Sequence, residues 1–309
     1  MKRLVLAGMA CMMVFASQAQ TRTVQERLGY AKDARLLIIH ADDLGVSHSE
    51  NEASILAMKT GSVSSASIMV PTPWFSEIAS YAASHPSADL GLHLTLTSEW
   101  KYYKWSTVAG RNEVPGLINK KGYMFSAVDS VHRSAKAAEV ETELRAQIEM
   151  ARKAGIDFTH FDSHMGTLYG NLDYLKVMLN LGREYKVPVM ISQPAFKMLG
   201  LDITQLITEK DVQVDAIYGA NPQDFKSGMA NFYKNVITNL KPGLSLIILH
   251  SAFDNDEMRS ITADHPDWGS AWRQADFEFF NSEACKNLLK EQKIQLVTWR
   301  EVRDKLVRK

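Results

Sequence analysis

Four stretches of this 309-residue chain couple an apolar run to side chains that bind metal ions or move protons. Arg35–His40 (RLLIIH) runs into Ala41-Asp42-Asp43, and Asp89–Thr97 (DLGLHLTLT) carries His93. FTHFDSH carries Asp162 and His164, and Leu244–His250 (LSLIILH) ends on His250. Carboxylates and imidazoles are hard-to-borderline oxygen and nitrogen donors. Three of them around one ion, with a coordination position left for water, make a hydrolytic metal site. The long gaps between these groups exclude a local zinc finger. They suit ligands drawn from different strands, because sites in barrels and open α/β sheets form at the carboxyl ends of the strands. Two adjacent acids after LLII read better as a ligand and a base than as a helix cap. His93 alone, between leucines, reads as a packed core residue, and only the joint placement of the groups raises it. His40 and His160 lie inside strand runs and suit packing or support of the site. His48, His85 and His132 sit in polar stretches and read as surface.

The elements that must position these groups alternate along the chain. Apolar, β-type runs fall at 35–40, 63–70, 89–97, 158–162, 187–192, 211–218, 244–250 and 294–298. Helical stretches lie at 50–59, 74–84, 137–154, 172–185, 230–240, 271–291 and 300–307. Strand–helix alternation over the whole length predicts parallel strands with helical crossovers. Pattern alone leaves a barrel of seven or eight strands and an open doubly wound sheet both standing. Residues 98–131 break the alternation with Trp100, Tyr102, Tyr103, Trp105, Pro115 and several glycines. A loop of that length is usually functional or disordered, and its aromatics suit either stacking on sugar faces or packing the loop onto the body.

Composition narrows the class. Hydrophobic residues make up 46% and charged residues 23%, an ordinary globular balance. Basic and acidic residues number 35 each, so no nucleic-acid footprint is expected. Two cysteines, Cys11 and Cys285, are too few for a disulfide scaffold. Lys2-Arg3, the apolar run Leu4–Ala16 and the small residues Ser17 and Ala19 read as a signal peptide over 1–19. The expectation is an exported protein, periplasmic or secreted, with one catalytic domain over 20–309. No further run is long enough for a membrane span. The oligomeric state stays open.

His40-Ala41-Asp42-Asp43-Leu44-Gly45 resembles the (N)ADDFG opening of the YdjC-like carbohydrate deacetylases. Gly91-Leu92-His93-Leu94-Thr95-Leu96-Thr97 is similar to that family's G-x-H-x-x-L-T motif. Thr159-His160-Phe161-Asp162-Ser163-His164 is similar to its T-H-x-D-S-H motif, and Gly61–Ala66 to its G-x-V-(T/S)-S segment. The resemblance extends from about Arg35 to Trp299–Val302. It departs at His40 and Leu44, where the family usually has Asn and Phe, after His164, where it usually has more histidines, and at Ser251, where it often has Pro. The chain therefore resembles a divergent, exported subgroup.

The resemblance implies a single distorted (β/α) barrel and one divalent metal ion, zinc or magnesium. It also implies removal of acetyl groups from an N-acetylated sugar or oligosaccharide. It makes Asp43, His93 and His164 the metal ligands, Asp42 the general base and His250 the general acid. Asp162 is expected to orient His250 or a ligand. Arg273 is expected to pair with a metal-site carboxylate. Trp100 and Trp268, with Asp254, Glu257, His265 and Asp267, are candidates for substrate binding. The competing readings are a metal-dependent hydrolase of another amide or ester, and an exported carbohydrate-binding protein with a degenerate site.

Overall fold

The computed structural model describes residues 22–60 and 62–309. The signal-peptide reading of 1–19, Cys11 included, lies outside the described residues. Seven strands form one all-parallel sheet: β1 (Arg35–Leu44), β2 (Ser65–Ile68), β3 (Leu90–Leu94), β4 (Phe161–Ser163), β5 (Ala216–Gly219), β6 (Gly243–Leu249) and β7 (Gln295–Leu296). The order is β4-β3-β2-β1-β6-β5, and β7 pairs with the start of β1. Helices surround the sheet; they include His48–Lys59, Phe75–Ser84, Ala137–Lys153, Leu172–Tyr185, Met229–Thr238 and Ser270–Phe280. No described helix is long and apolar enough to cross a membrane.

The sheet curls into a distorted barrel whose gap is bridged by single backbone bonds. Met190 N donates to Phe161 O beside β4, Val214 N to Ile191 O, and Asp215 N to Leu244 O of β6. Residues 187–192, expected as a strand, contribute only one bridge, between Val189 and Phe161. The reason is local. Ser192 caps a short helix, Gln193–Met198, with Pro194 in its first turn, and the chain leaves the sheet there. The single helix expected over 271–291 is two, Ser270–Phe280 and Glu283–Glu291, because Ser282 caps the second one.

Period-two alternation sorts each strand between two buried faces. On β1, Leu37, Ile39 and Ala41 pack under the helices, as do Ala66 and Ile68 of β2 and Leu90, Leu92 and Leu94 of β3. The other face of β1 turns into the barrel. There Leu36 and Ile38 form an apolar base with Leu244, Leu246, Val212, Val214, Val297 and Trp299. Above that base the interior becomes polar: His40, Ser65, Ser67, His93 and Asp162 are all buried. The apolar base supplies the driving force for barrel closure. The polar layer above it offsets part of its desolvation through pairs such as His40 with Ser65 and Ser67 with Asp162.

Residues 98–131 are mostly irregular, with a short helix at Val128–Ser134 that begins within their last turn. Trp100 and Trp105 are buried with Val46, Met69, Met124, Ala252, Met258 and Ile261 in a small separate core. Trp105 Nε1 donates to Thr97 O, and the Tyr103 hydroxyl to Val46 O. Tyr102 is exposed. The aromatics at 103 and 105 therefore fasten the segment to the body. Glu143 fastens it from the other side, accepting from Val108 N (3.0 Å) and Ala109 N (2.9 Å).

Candidate metal centre and active site

An irregularity in β1 makes the site. Ala41 pairs with Ala66 and Leu44 with Ile68, so three steps along β1 match two along β2. The extra residue is a bulge at Asp42-Asp43, and Asp43 sits at φ 70°. In an unbroken strand two successive side chains point to opposite faces. The bulge and the left-handed Asp43 backbone turn both carboxylates toward the same mouth. Gly45, at φ 97°, completes the turn; a Cβ there would lie 3.0 Å from Met69 O and from Thr72 Oγ1. Another non-glycine residue in the left-handed region, Met165 at φ 51°, follows His164 directly and turns the chain off β4.

Asp43, His93 and His164 converge from β1, β3 and the end of β4, with one donor atom from each lying within 4.8 Å of the others. His93 Nε2 and His164 Nδ1 each stand 3.3 Å from Asp43 Oδ1. That buried oxygen makes no hydrogen bond. Each of the three side chains has a polar neighbour at its other polar atom. Asp43 Oδ2 accepts from Arg273 Nη2 at 2.8 Å, and His164 Nε2 meets Glu99 Oε2 at 2.9 Å. His93 Nδ1 lies 3.0 Å from Asp162 Oδ1, close but outside hydrogen-bond alignment. Outer partners of this kind fix which atom of a ligand faces an ion. Two imidazole nitrogens and a carboxylate oxygen, with one buried oxygen left without a partner, fit a divalent cation.

Asp42 Oδ1 stands 3.0 Å from His40 Nε2 and Asp42 Oδ2 3.8 Å from His93 Nε2, so this second carboxylate flanks the trio. Asp162 touches His93 and His40 and also accepts from Ser67 Oγ at 2.8 Å. Its neighbours are thus a trio member and a deeper histidine, and no contact with His250 is present. His250 lines the same cavity, and its backbone N–H donates to Asp276 Oδ2 at 3.0 Å. Arg273, fully buried, spans Asp43 and Glu50 Oε2 (2.7 Å), and its Nε donates to Trp268 O. Trp268 stands at the cavity rim at φ 56° and stacks on Trp272. Trp100 lines the cavity edge-on to His265, with the Arg273 guanidinium over its ring at 5.4 Å. Glu257 accepts from the backbone at His48 and Ser49, and Asp254 pairs with Arg259, so neither faces the mouth.

The electrostatics follow from this packing. Burial opposes charge on Asp43, but Arg273, His164 and His93 outweigh it and hold the carboxyl well below its ordinary range. Burial likewise opposes protonation of His164, which Glu99 and Asp43 overcome, raising it to about 9. His93 is raised for the same kind of reason by Asp162 and Asp42. His250 goes the other way. Burial lowers it, with Arg273 adding to the effect against the pull of Asp43. Glu50 is raised well above a normal carboxyl by burial, despite Arg273.

Sequence reasoning passed over Glu50, Glu99 and Asp276. Glu50 had a signal, Ser47-x-x-Glu50, that reads as a capping box. Ser47 does cap the helix, accepting from Glu50 N, but the Glu50 side chain turns to Arg273 instead. Glu99 and Asp276 lie in no motif.

The cavity above the trio measures about 810 Å³. A barrel of parallel strands with such a cleft at their carboxyl ends belongs to the broad class of (β/α) barrel scaffolds, whose sites form at that face. Within it, the family model of the YdjC-like proteins matches residues 36–291, and the chain belongs to that family. A carbohydrate deacetylase of Thermus thermophilus is 33% identical over 291 residues, 91% of this chain and 98% of that protein. One of Brevibacillus brevis is 36% identical over 153 residues, 50% of this chain and 58% of that protein. Among solved structures, a protein of Enterococcus faecalis V583 described as a candidate cellobiose-phosphate cleavage protein superposes with a TM-score of 0.72 at 25% identity. The match covers 87% of this chain and 99% of that one.

Proposed function

We propose that the protein is a metal-dependent hydrolase that removes acetyl groups from N-acetylated sugars. The observation that carries this reading is the convergence of Asp43, His93 and His164 on one point, with Asp42 beside it, at the floor of the cavity. The family's curated relatives, named carbohydrate deacetylases, support the bond and the substrate class.

Asp43 Oδ1, His93 Nε2 and His164 Nδ1 would hold the divalent ion. Bound there, it supplies Lewis-acid polarisation of the acyl oxygen and acidifies water. Asp42 accepts the proton that water sheds as its oxygen bonds to the acyl carbon. His250, on the cavity wall, carries the proton that the nitrogen must receive before the C–N bond breaks. Acetate and a free amine leave. Asp42 then gives up its proton, and His250 takes one, to restore the starting state. Asp162, Glu99 and Arg273 hold the three ligands in the orientation they show here. The sequence-level expectation of export stands beside this reading as part of the same proposal: an N-acetylated sugar met outside the cytoplasm.

The test combines metal content with acetate release. Wild-type protein should hold one divalent ion per chain and release acetate from N-acetylated mono- or oligosaccharides. Asp42→Asn should keep the ion and lose about a thousandfold or more in kcat, the scale of removing a positioned base plus its charge. Full turnover by Asp42→Asn would remove Asp42 as the base. An ion without acetate release from any acetamido sugar would move the reading to other amides or esters.

A further inference from the structure

The cavity has two unlike walls. All of its charged side chains stand at the metal end: Asp42, Asp43, Glu99 and Arg273, with His93, His164, His250 and His265 nearby. Arg273 is already engaged by Asp43 and Glu50, so no basic group is left over for an anionic substituent. The rest of the lining is mostly apolar and includes Met165, Phe196, Met198, Leu199, Ile217 and Ile248. The Tyr169 hydroxyl donates its proton to Met190 O and keeps only acceptor capacity.

Exposure sharpens the contrast. Ten large hydrophobic side chains are exposed among the described residues, and four of them, Met165, Met198, Leu199 and Trp268, line this one cavity. Met198 is 89% and Leu199 72% exposed, a cost in water that nothing within the described chain offsets. A second neutral sugar laid on this wall would bury several hydroxyls against groups that cannot bond them. An apolar chain would bury its surface there at no such cost.

We infer that the substrate is an acetamido or acylamido sugar bearing an uncharged apolar substituent, which lies along the Met165–Phe196–Met198–Leu199 wall while the amide sits at the metal end. This rests on the deacetylase reading for the position of the amide, and deepens it by naming the substrate's second half. Two attachments share this chemistry: an alkyl aglycone on the sugar, and an acyl chain longer than acetyl.

Calorimetric binding to the metal-loaded Asp42→Asn protein separates them. The aglycone arm compares the methyl and n-hexyl β-glycosides of N-acetylglucosamine. The acyl arm compares N-acetyl- with N-hexanoylglucosamine. Burial of only two or three methylenes predicts that one extended ligand binds at least tenfold more tightly than its short partner, with a more negative heat-capacity change. The double variant Met198→Ser/Leu199→Ser changes exposed positions, so it should fold, and the tenfold preference should collapse. Equal binding within both pairs overturns the inference, and so does a preference that survives the double variant. Release of acetate, or of hexanoate from the N-hexanoyl sugar, by wild type is read separately. Release from N-acetylglucosamine with no chain preference leaves the deacetylase standing and removes the apolar subsite. A chain preference in binding, lost in the double variant, with no release from any ligand, leaves the subsite standing and removes the deacetylase.

Discussion

The mouth of the barrel and the layer beneath it are made of the same residue types, and they differ in what their polar atoms face. At the mouth, Asp43 Oδ1 is buried with no hydrogen bond, and two imidazole nitrogens are aimed at it. Beneath, His40 Nδ1 meets Ser65 Oγ at 3.1 Å, and its Nε2 is shared by Ser67 Oγ (3.2 Å) and Asp162 Oδ2 (3.0 Å). Asp89 accepts from Ser65 Oγ, Thr159 Oγ1 and Arg300 N. His160 stacks on Trp299, and Gly91 leaves room for its ring: a Cβ there would collide with it. His40, His160 and Asp162 are close enough to hold an ion, but the His40 nitrogens already have protein partners. Protein partners on both His40 nitrogens thus set the deeper layer apart from the mouth, although His160 Nε2 and Asp162 Oδ1 there also make no hydrogen bond.

The largest expected effect tests that division directly. His93→Ala removes a receiving atom and should abolish both bound metal and acetate release. His40→Asn, which puts the family's usual residue at the deeper position, should keep one ion per chain by mass spectrometry. A His40→Asn protein without metal, or a wild-type protein with two ions, would break the comparison.

The groups between the layers should give intermediate effects. Asp162 touches both His93 and His40, so Asp162→Asn should weaken metal binding about 10- to 100-fold. It should also cost about 1–3 kcal/mol of stability, since it disturbs a buried network. Glu99 touches only His164, from the segment above the mouth. Glu99→Gln should therefore weaken metal binding at the lower end of that range and leave stability within about 1 kcal/mol. Competition with a metal-binding dye and urea unfolding of the two metal-free variants measure both numbers. Equal effects on both readouts would mean that the two layers are one unit.

How much of this arrangement is legible in the sequence depends on periodicity. β1, β3 and β6 announce themselves as apolar runs, because strands buried on both faces have no polar side to interrupt them. The strand ends then mark Asp43, His93 and His250. The two carboxylates at 42 and 43 are visible as neighbours, but period two places them on opposite faces. Only the bulge and the φ of 70° at Asp43 bring them together, and no composition rule announces a bulge. The segment 187–192 reads as a strand because Val187, Val189 and Ile191 alternate. The cap at Ser192 takes the chain out of the sheet before a ladder can form. Glu50, Glu99 and Asp276 act through tertiary contacts alone, with partners dozens to hundreds of residues away. Spacing carries no trace of such contacts.

The smallest effect extends the comparison to a buried acid away from the mouth, Glu143. It accepts from Gln147 Nε2 at 2.8 Å and from the backbone of Val108 and Ala109, so like His40 it is saturated by the protein. Burial nevertheless lifts its carboxyl to about 7, against those hydrogen bonds. An unfolded glutamate releases its proton near its ordinary value of 4.5. Between these two values the folded state holds a proton that the unfolded state has lost. Stability from this group is therefore fully present below about pH 4.5, falls as pH rises toward 7, and is level above that. The fall should be about 3 kcal/mol across the window, in addition to whatever other groups contribute. Glu143→Gln removes the titration. The difference in unfolding free energy between wild type and Glu143→Gln, measured from pH 5 to pH 8, should therefore slope toward the variant as pH rises and flatten above 7. A difference independent of pH would show that the Glu143 carboxyl titrates alike in both states, its amide bonds offsetting its burial. Segment 98–131 would then be fastened by a permanently charged anchor instead of a neutralised one.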